Sequence, residues 1–385
     1  MSSAKPGYMK NFFTPAEAFY EITRSRPYRL PENERRKVGL TPETWQLEIV
    51  GDDVPWQPIL KKTCRKEDGT AVTFKVLEEL FATKPVRCIK TLQCLLDHPD
   101  RGLCSNGYWE GVSLRDVLMR LGPLTKVRRI YYQGYFAEPK QRFVSSLALS
   151  EVLETPPGHL PIMLAFKLNG GPLPIERGGP VRLLAPEMYG FKSIKWLNKI
   201  VLTNDYRPND TYATEFGDVP LAPDPFAPMK TVARLDVHNK LVFKRGESIT
   251  ISGVATVGAS GLQRVDYWLR PDQGNHGKLD ADDPAWQAAE WKPTTLAATP
   301  PANWTEGLAE TRFPPGVLFL DSQRPMQWPL PFSWAPWSVR LENLAAGAYE
   351  FRVRAVDKNN FAQPEPRPNG QSGIADIQCQ TLVVM

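Results

Sequence analysis

The sequence predicts an α+β chain in two parts, a mixed α/β domain followed by an all-β sandwich of immunoglobulin type. The chain has 385 residues, which is too long for one ordinary core, so two domains are expected. Strand and helix patterns alternate as far as residue 204. Beyond residue 230 only strand patterns remain, bounded by Gly turns, and this is typical of a sandwich.

The composition indicates a globular protein. Apolar residues make up 42% and charged residues 23% of the chain. The net charge of +5 comes without a basic block, so it favours small anionic ligands or an acidic partner over nucleic acid. No stretch approaches the roughly 20 apolar residues of a membrane span, and the start of the chain lacks the apolar core of a signal peptide. We expect a soluble protein, cytoplasmic as the sequence stands and periplasmic if a signal peptide was removed.

The five cysteines indicate neither a disulfide framework nor a zinc site. They are odd in number and lack the close pairs of zinc or redox motifs. Bridges are also unusual in a chain of this size. The sequence contains no CxxCH attachment motif, so we expect no haem in this chain.

The first domain begins after an irregular N-terminal segment, residues 1–40, which mixes aromatics and Arg without periodicity. This segment is expected to lie over a surface or a ligand of the domain that follows. Residues 44–50 alternate apolar and polar side chains and predict a half-buried strand. Residues 72–82 carry apolar side chains at helical spacing, with Thr73 as a candidate cap.

Cys94 follows a short strand pattern, residues 88–92, and opens a loop. Thiolate sulfur is a ligand that suits soft metals, whereas a lone Cys after an apolar run is more often a small core residue. After the loop, Ser113 is a candidate N-cap for a short amphipathic helix that stops at Gly122.

The rest of the chain continues these patterns. Strands are predicted at 129–136 and 161–168, the second running into an Asn169-Gly170 hairpin turn, and a helix at 146–153. Residues 205–229 are a Pro-rich linker. In the sandwich, residues 265–270 and 349–355 alternate apolar and polar side chains, and this pattern predicts strands with one polar face. The Pro- and Trp-rich excursion 271–335 interrupts the sandwich, and we expect it to cover a partner or the first domain.

Several segments, taken together and in order, resemble the sulfite oxidase family of molybdopterin enzymes: TLQC, NGYWEGVSLRDVL, LNGGPLP, GGPVRLLAP and YGFKSIKWL. The C-terminal run from WAPWSVRLENL to DKNNFAQP resembles that family's dimerisation domain. The resemblance implies a sulfite oxidase-type molybdopterin domain at 41–228 and an immunoglobulin-like dimerisation domain at 229–385. Residues 1–40 would pack on the first of these.

The resemblance also implies a site. Cys94 takes the place of the protein ligand of molybdenum, and Arg24 and Arg101 are candidates for the active-site arginines. The cofactor-binding residues would be Phe19, Tyr20, Cys94, Arg177, Arg182, Ser193, Ile194 and Lys195. Cationic donors suit an anionic pterin phosphate. Surface charges for Arg182 and Lys195, and core aromatics for Phe19 and Tyr20, are the alternatives.

One departure from the family concerns the residues after Cys94. The run LLDHPDRG replaces the family's Ala-Gly-Asn-Arg-like run. Asp97 would repel an anionic substrate unless it pairs with Arg101. His98 is either a proton shuttle or a loop residue that faces solvent.

The function implied is oxygen-atom transfer from a molybdenum-molybdopterin cofactor. Sulfite would be oxidised to sulfate, and electrons would pass to a separate acceptor such as a cytochrome c. A homodimer is expected, since strand-rich domains with exposed aromatics bury them against a copy. The alternatives are reduction of S-oxides or N-oxides on the same cofactor, and a non-enzymatic immunoglobulin-like interaction protein.

Overall fold

In a computed structural model, the described residues of the chain form four β-sheets. The structure describes residues 11–52, 59–98, 102–208, 210–211, 214, 228–236, 242–274, 279–280, 282–301, 325, 327–364 and 373–385. Two of the sheets belong to the first half of the chain and two to the second half. Most of the predicted linker 205–229 and part of the excursion 271–335 lie outside these residues.

The first half contains two sheets that share one apolar core. One has the strand order β2-β1-β10-β5-β6 and the other β3-β4-β7-β8, with β9 paired to β7. The strands are β1 Gln46–Gly51, β2 Val72–Thr73, β3 Val86–Gln93, β4 Cys104–Ser113, β5 Arg129–Gly134, β6 Val144–Ala148, β7 Met163–Leu168, β8 Gly171–Pro172, β9 Arg182–Leu184 and β10 Leu197–Thr203. β1 and β10 pair in parallel, and the remaining pairs are antiparallel.

The described α-helices are short and lie on the sheets: α1 Glu32–Lys37, α2 Phe74–Thr83, α3 Leu114–Leu118 and α4 Leu149–Leu153. Ser113 caps α3 as predicted, because its side chain accepts the backbone N–H of Arg115 at 3.2 Å. Thr73 occupies the cap position of α2 but makes no capping hydrogen bond. Asn169 and Gly170 both have positive φ, as the predicted hairpin turn requires.

One local prediction for the first half is wrong. Residues 146–148, expected to be helical, belong to β6, where they pair with β5, and the helix begins at Leu149. Strand β3, predicted at 88–92, is buried along most of its length, and its polar residues Lys90, Thr91 and Gln93 are buried too. The physical reason is that the second half of the chain covers one face of β3. Thr91 donates its backbone N–H to Phe332 O at 2.7 Å across this interface.

The second half consists of two sheets around a separate core. Their strand orders are β11-β13-β17-β16 and β12-β19-β18-β14-β15, and apolar side chains such as Ile249, Val265 and Phe351 fill the space between them. The strands are β11 Val232–Leu235, β12 Val242–Phe243, β13 Ile249–Thr256, β14 Arg264–Pro271, β15 Lys292–Pro293, β16 Thr295–Leu296, β17 Trp334–Leu341, β18 Gly347–Val356 and β19 Gln378–Val384.

The polar face of β14 and β18, which the alternation indicated, is buried in the structure. Glu350 and Arg352 are fully buried and form an ion pair at 2.6 Å. Trp286 and Trp291, from the excursion, lie over this face, and the Trp291 ring is 4.1 Å from the Arg354 guanidinium carbon. The excursion therefore covers the sheet of its own domain here. Its end does pack on the first half as expected, where Leu330 joins a cluster with Phe12 and Ile89.

Among the residues described, none of the helices has the length and apolar character needed to cross a lipid bilayer. The domain boundaries at 40/41 and 228/229, and the immunoglobulin-like character of the second half, stay predictions.

Candidate active site

A cavity of about 310 Å³ lies where five segments of the first half meet. It is lined by the end of β3, the N-terminal segment at 19–25, four residues between 134 and 143, the arginines 177 and 182, and the turn 190–196 that leads into β10. All the predicted site residues line this cavity except Arg101, which lies outside the described residues. Folding thus brings together side chains that are widely separated in the sequence.

Cys94 is placed by the pairing of β3 with β4. Its backbone N–H donates to Leu103 O at 2.9 Å and extends that ladder by one pair beyond Gln93. The side chain is partly buried, and Cys94 is the only cysteine that lines this cavity. By contrast Cys88 and Cys104 lie in the core, where burial raises the pKa of each thiol to about 12. The cavity therefore holds one thiol with access to a ligand.

Arg182 and Arg177 form the cationic part of the wall. Arg182 is buried, and it donates from Nη1 to Arg177 O at 2.9 Å and from Nη2 to Ser193 O at 2.6 Å. Arg177 donates from Nε to Ala16 O at 2.8 Å and from Nη2 to Glu17 O at 2.9 Å. Burial lowers the pKa of Arg182 to about 10 and also lowers that of Arg177. Both nevertheless stay cationic at neutral pH.

Lys195 adds a third cation whose charge depends on its surroundings. Its Nζ donates to Glu176 O at 3.1 Å. Burial, helped by repulsion from Arg182, lowers the pKa of Lys195 to about 7. Gly178, with a φ of +105°, permits this packing, since a Cβ there would lie 2.9 Å from Lys195 atoms. Ser193, whose hydroxyl accepts from Ala185 N at 3.1 Å, and Ile194 complete the same turn.

The N-terminal segment forms the remaining wall. Phe19 is buried against Trp109 with ring centroids 5.7 Å apart, so it is a core aromatic as well as a cavity residue. Tyr20 donates its backbone N–H to Ser105 Oγ at 3.0 Å. Burial, with the Cys94 sulfur nearby, raises the pKa of the Tyr20 hydroxyl, which stays protonated. Arg24 is exposed at the rim and its Nη1 lies 3.4 Å from Arg142 O.

Asp97 pairs with an arginine that the sequence did not suggest, whereas Arg101 lies outside the described residues. Its Oδ2 lies 2.7 Å from Nη1 of Arg234, a residue of β11 in the second half, and both side chains are fully buried. Sequence reasoning missed this partner because Arg234 is remote in the chain and carries no motif. His98 lies 2.7 Å from Asp376 in a partly exposed position and does not line the cavity.

Other cavity residues were also missed. Leu95, Phe143 and Phe191 form an apolar part of the wall. Gly134 and Gly190 lie where other parts of the chain come very close to the backbone. A Cβ on Gly134 would collide with Lys195 O, and one on Gly190 with the Tyr20 hydroxyl. The one available signal was a glycine inside the predicted strand 129–136, where glycine often marks a close approach of another backbone.

Comparisons with known proteins agree with this geometry. Residues 37–211 match the family of the oxidoreductase molybdopterin binding domain. A nitrate reductase [NADPH] of Fusarium oxysporum is 34% identical over 108 residues, which is 28% of this chain and 11% of that protein. The mitochondrial sulfite oxidase of Drosophila melanogaster is 22% identical over 368 residues, 92% of this chain and 56% of that protein. The chain thus spans about a tenth of the nitrate reductase and about half of the sulfite oxidase.

A solved structure has the same fold. The sulfane dehydrogenase SoxCD from Paracoccus pantotrophus superposes with a TM-score of 0.58 at 17% identity, over 89% of this chain and 76% of that one. These matches leave no support for a non-enzymatic interaction protein. Residues 37–211, which include every cavity residue outside the N-terminal segment, form a molybdopterin binding domain of an oxidoreductase, and over most of its length the chain is similar to the sulfite oxidase family of molybdopterin-dependent enzymes.

Proposed function

We propose that this protein oxidises sulfite to sulfate at a molybdenum that Cys94 binds through sulfur. The single observation that carries the proposal is that Cys94 shares one cavity with Arg177, Arg182 and Lys195. A soft sulfur ligand suits the metal, and cations suit both an anionic pterin and an anionic substrate. Sulfite and water would give sulfate, two protons and two electrons, and a separate acceptor such as a cytochrome c would take the electrons.

The residues present fit the cofactor. Arg177 Nη1 and Arg182 Nε are buried N–H groups without a hydrogen-bond partner among the described residues. Buried donors of this kind are rare in folded proteins, because leaving one unpaired is costly. Oxygen atoms of a pterin phosphate would accept from them. This supports a role for both arginines as ligands of the cofactor rather than as surface charges.

The residues of the cavity wall would then have different roles in binding the cofactor and the substrate. Arg182, Arg177 and Lys195 would hold the anionic end of the pterin, with Ser193 and Ile194 shaping the turn beside it. Phe19 and Tyr20 would pack on the pterin and exclude water. When bound, the molybdenum pterin supplies two-electron oxygen-atom transfer. Arg24 is exposed at the rim, where it would attract an anionic substrate; Arg101 keeps the role proposed from the resemblance, as a second active-site arginine.

A second candidate function is reduction of an S-oxide, an N-oxide or nitrate on the same cofactor. The apolar part of the wall favours it, since Leu92, Leu95, Phe143 and Phe191 would contact the carbon groups of an organic oxide. The nitrate reductases among the relatives support the nitrate version of this candidate.

Metal analysis and steady-state turnover test the proposal. We expect about one molybdenum per chain from a host that makes the cofactor, and oxidation of sulfite with a one-electron dye. Cys94→Ser should lower kcat/KM for sulfite by more than about 100-fold, because even the outer partners of metal ligands are worth 10 to 100-fold. Cys64→Ser is the matched control, since Cys64 lies outside the cavity.

The outcomes separate the candidates. Wild-type turnover in Cys94→Ser would exclude a metal–sulfur bond to this residue. Reduction of methionine sulfoxide or nitrate with a reduced dye, faster than sulfite oxidation, would favour the second candidate.

A further inference from the structure

The loop that carries Cys94 is closed by the side chain of Asp97. The Cys94 N–H donates to Leu103 O, and the Leu103 N–H donates to Asp97 Oδ1, both at 2.9 Å. Asp97 N–H in turn donates to Cys94 O at 3.2 Å. The carboxylate of Asp97 therefore connects the two ends of the loop, and its position determines where Cys94 lies relative to β4.

The second half of the chain holds this carboxylate in place. Arg234 Nη1 lies 2.7 Å from Asp97 Oδ2, and both side chains have no exposed surface. A second contact lies beside it, where Ile374 N–H donates to Leu95 O at 3.1 Å. Leu95 also packs with Tyr189, Met229 and Phe332 in a cluster that spans both halves of the chain. Asp97 and Leu95, which both follow Cys94 in the loop, are thus held by residues of the second half of the chain.

We propose that Arg234 is a positioning residue for Cys94: across the interface between the two halves, it fixes Asp97 and thereby the thiol in the cavity. The proposal rests on the proposed function in that Cys94 binds the metal. The physical reason is that a buried ion pair contributes little net stability but has a narrow range of geometries. Groups that orient a metal ligand in this way commonly tune the metal.

Arg234 also neutralises a carboxylate that would otherwise be an unpaired negative charge in the Cys94 loop. Asp97 is near enough to act on the Tyr20 hydroxyl, which itself lies close to Cys94. With Arg234 in place, the pair is neutral, and the acidic residue after Cys94 does not repel an anionic substrate. The substitution of the family's usual run by LLDHPDRG is therefore compensated from β11.

The experiment compares two buried arginines of the second half. Arg234→Met removes the partner of Asp97, and Arg352→Met removes an equally buried arginine that pairs with Glu350 away from the cavity. Amide hydrogen exchange is measured on the full-length chain prepared without the pterin. In Arg234→Met, the amides of Cys94 and Leu103 should exchange about tenfold faster or more, the value expected for a lost charge-assisted hydrogen bond. In Arg352→Met they should stay near the wild-type rate.

Two further variants keep the test decisive. Arg234→Lys retains the charge and should restore part of the protection. If Arg234→Met does not fold, Asp97→Asn serves, because it removes the ion pair but keeps an acceptor for Leu103 N–H. In protein loaded with the pterin, the electron paramagnetic resonance spectrum of the molybdenum should shift in Arg234→Met and Asp97→Asn and not in Arg352→Met.

The proposal would be overturned if exchange became faster over the whole chain in both Met variants, or if the exchange rates of the Cys94 loop were unchanged in Arg234→Met. The ion pair would then be purely structural. Failure of the proposed function has a different signature, because it would appear as wild-type protein without molybdenum or as an active Cys94→Ser variant. The exchange measurement on pterin-free protein does not depend on either result.

Discussion

Lys195 is the residue of the cavity whose charge is most sensitive to a bound anion. Burial and Arg182 lower its pKa to about 7, so in the empty cavity it is largely neutral above that pH. A phosphate is already a dianion there, since its second pKa is about 6. An anion would bind the protonated lysine, and binding above pH 7 must therefore take up a proton.

We predict that the affinity of the chain for its anionic pterin falls as pH rises above about 7, by at most about tenfold per pH unit. Below pH 7 Lys195 is already protonated, so no proton uptake is needed and the dependence flattens. Molybdenum retained per chain, measured after equilibration at pH values from about 6 to about 9, tests this.

Two variants serve as controls for this prediction. Lys195→Arg should remove the dependence while keeping affinity, because a guanidinium stays charged over this range. In Lys195→Met, little molybdenum should be retained per chain, and the amount should hardly depend on pH. A wild-type profile that is flat from neutral to alkaline pH would contradict the assignment of Lys195 to the anion.

At the scale of elements, the N-terminal segment is attached to the cavity wall mainly through backbone carbonyls. Arg177 donates to the carbonyls of Ala16 and Glu17, just before the cavity residues Phe19 and Tyr20. Deeper in the segment, Phe12 and Phe13 are buried. Arg177 thus couples the segment to the same wall that carries Arg182.

We predict that Arg177→Met loosens this segment. Trypsin cleavage of the pterin-free chain after Arg24 should become roughly tenfold faster or more, since two charge-assisted hydrogen bonds are lost. Mass spectrometry of the early fragments measures it.

Arg87→Met is the matched control for the segment, because Arg87 pairs with Glu110 at 3.0 Å in the β3–β4 pair and lies outside the cavity. Equal cleavage of the two variants would mean that the segment is held by its aromatic residues instead.

At the scale of the whole molecule, one reason for expecting a homodimer has weakened. The sequence predicts exposed aromatics on the C-terminal half, yet Trp268, Trp334 and Trp337 are buried in the folded chain. What remains is the resemblance to a dimerisation domain and the exposed apolar side chains Val242 and Met385, which lie together where β12 meets the end of the chain.

We still predict a homodimer through the C-terminal half, with a mass twice the 43.4 kDa of the chain. Light scattering at micromolar concentration measures it, and a mass of one chain would contradict it. A fragment ending at residue 228 should be monomeric and less stable, because it loses the Asp97–Arg234 ion pair and exposes the apolar side chains of Ile89 and Leu95, which pack against the second half. A fragment as stable as the intact chain would show that the two halves fold independently.

The sequence alone determined the features that depend on short stretches of chain. Strand β1, the capped helix α3, the Asn169-Gly170 hairpin and the change to strands after residue 230 follow from local periodicity and turn chemistry. The cavity residues from Phe19 to Lys195 were named through a resemblance whose motifs are short and keep their order. Each of these signals is complete within a few residues.

Only the tertiary structure decided which polar groups are buried and what they pair with. Lys90 and Gln93 in β3, and Glu350 and Arg352 in β18, look like solvated positions of alternating strands, but remote segments cover them. Asp97 pairs with Arg234 from the other half of the chain, a partner that no local signal in the sequence indicates. The physical reason is that alternation reports on one strand and its two faces, whereas burial of a face depends on a second layer that the periodicity of that strand does not encode.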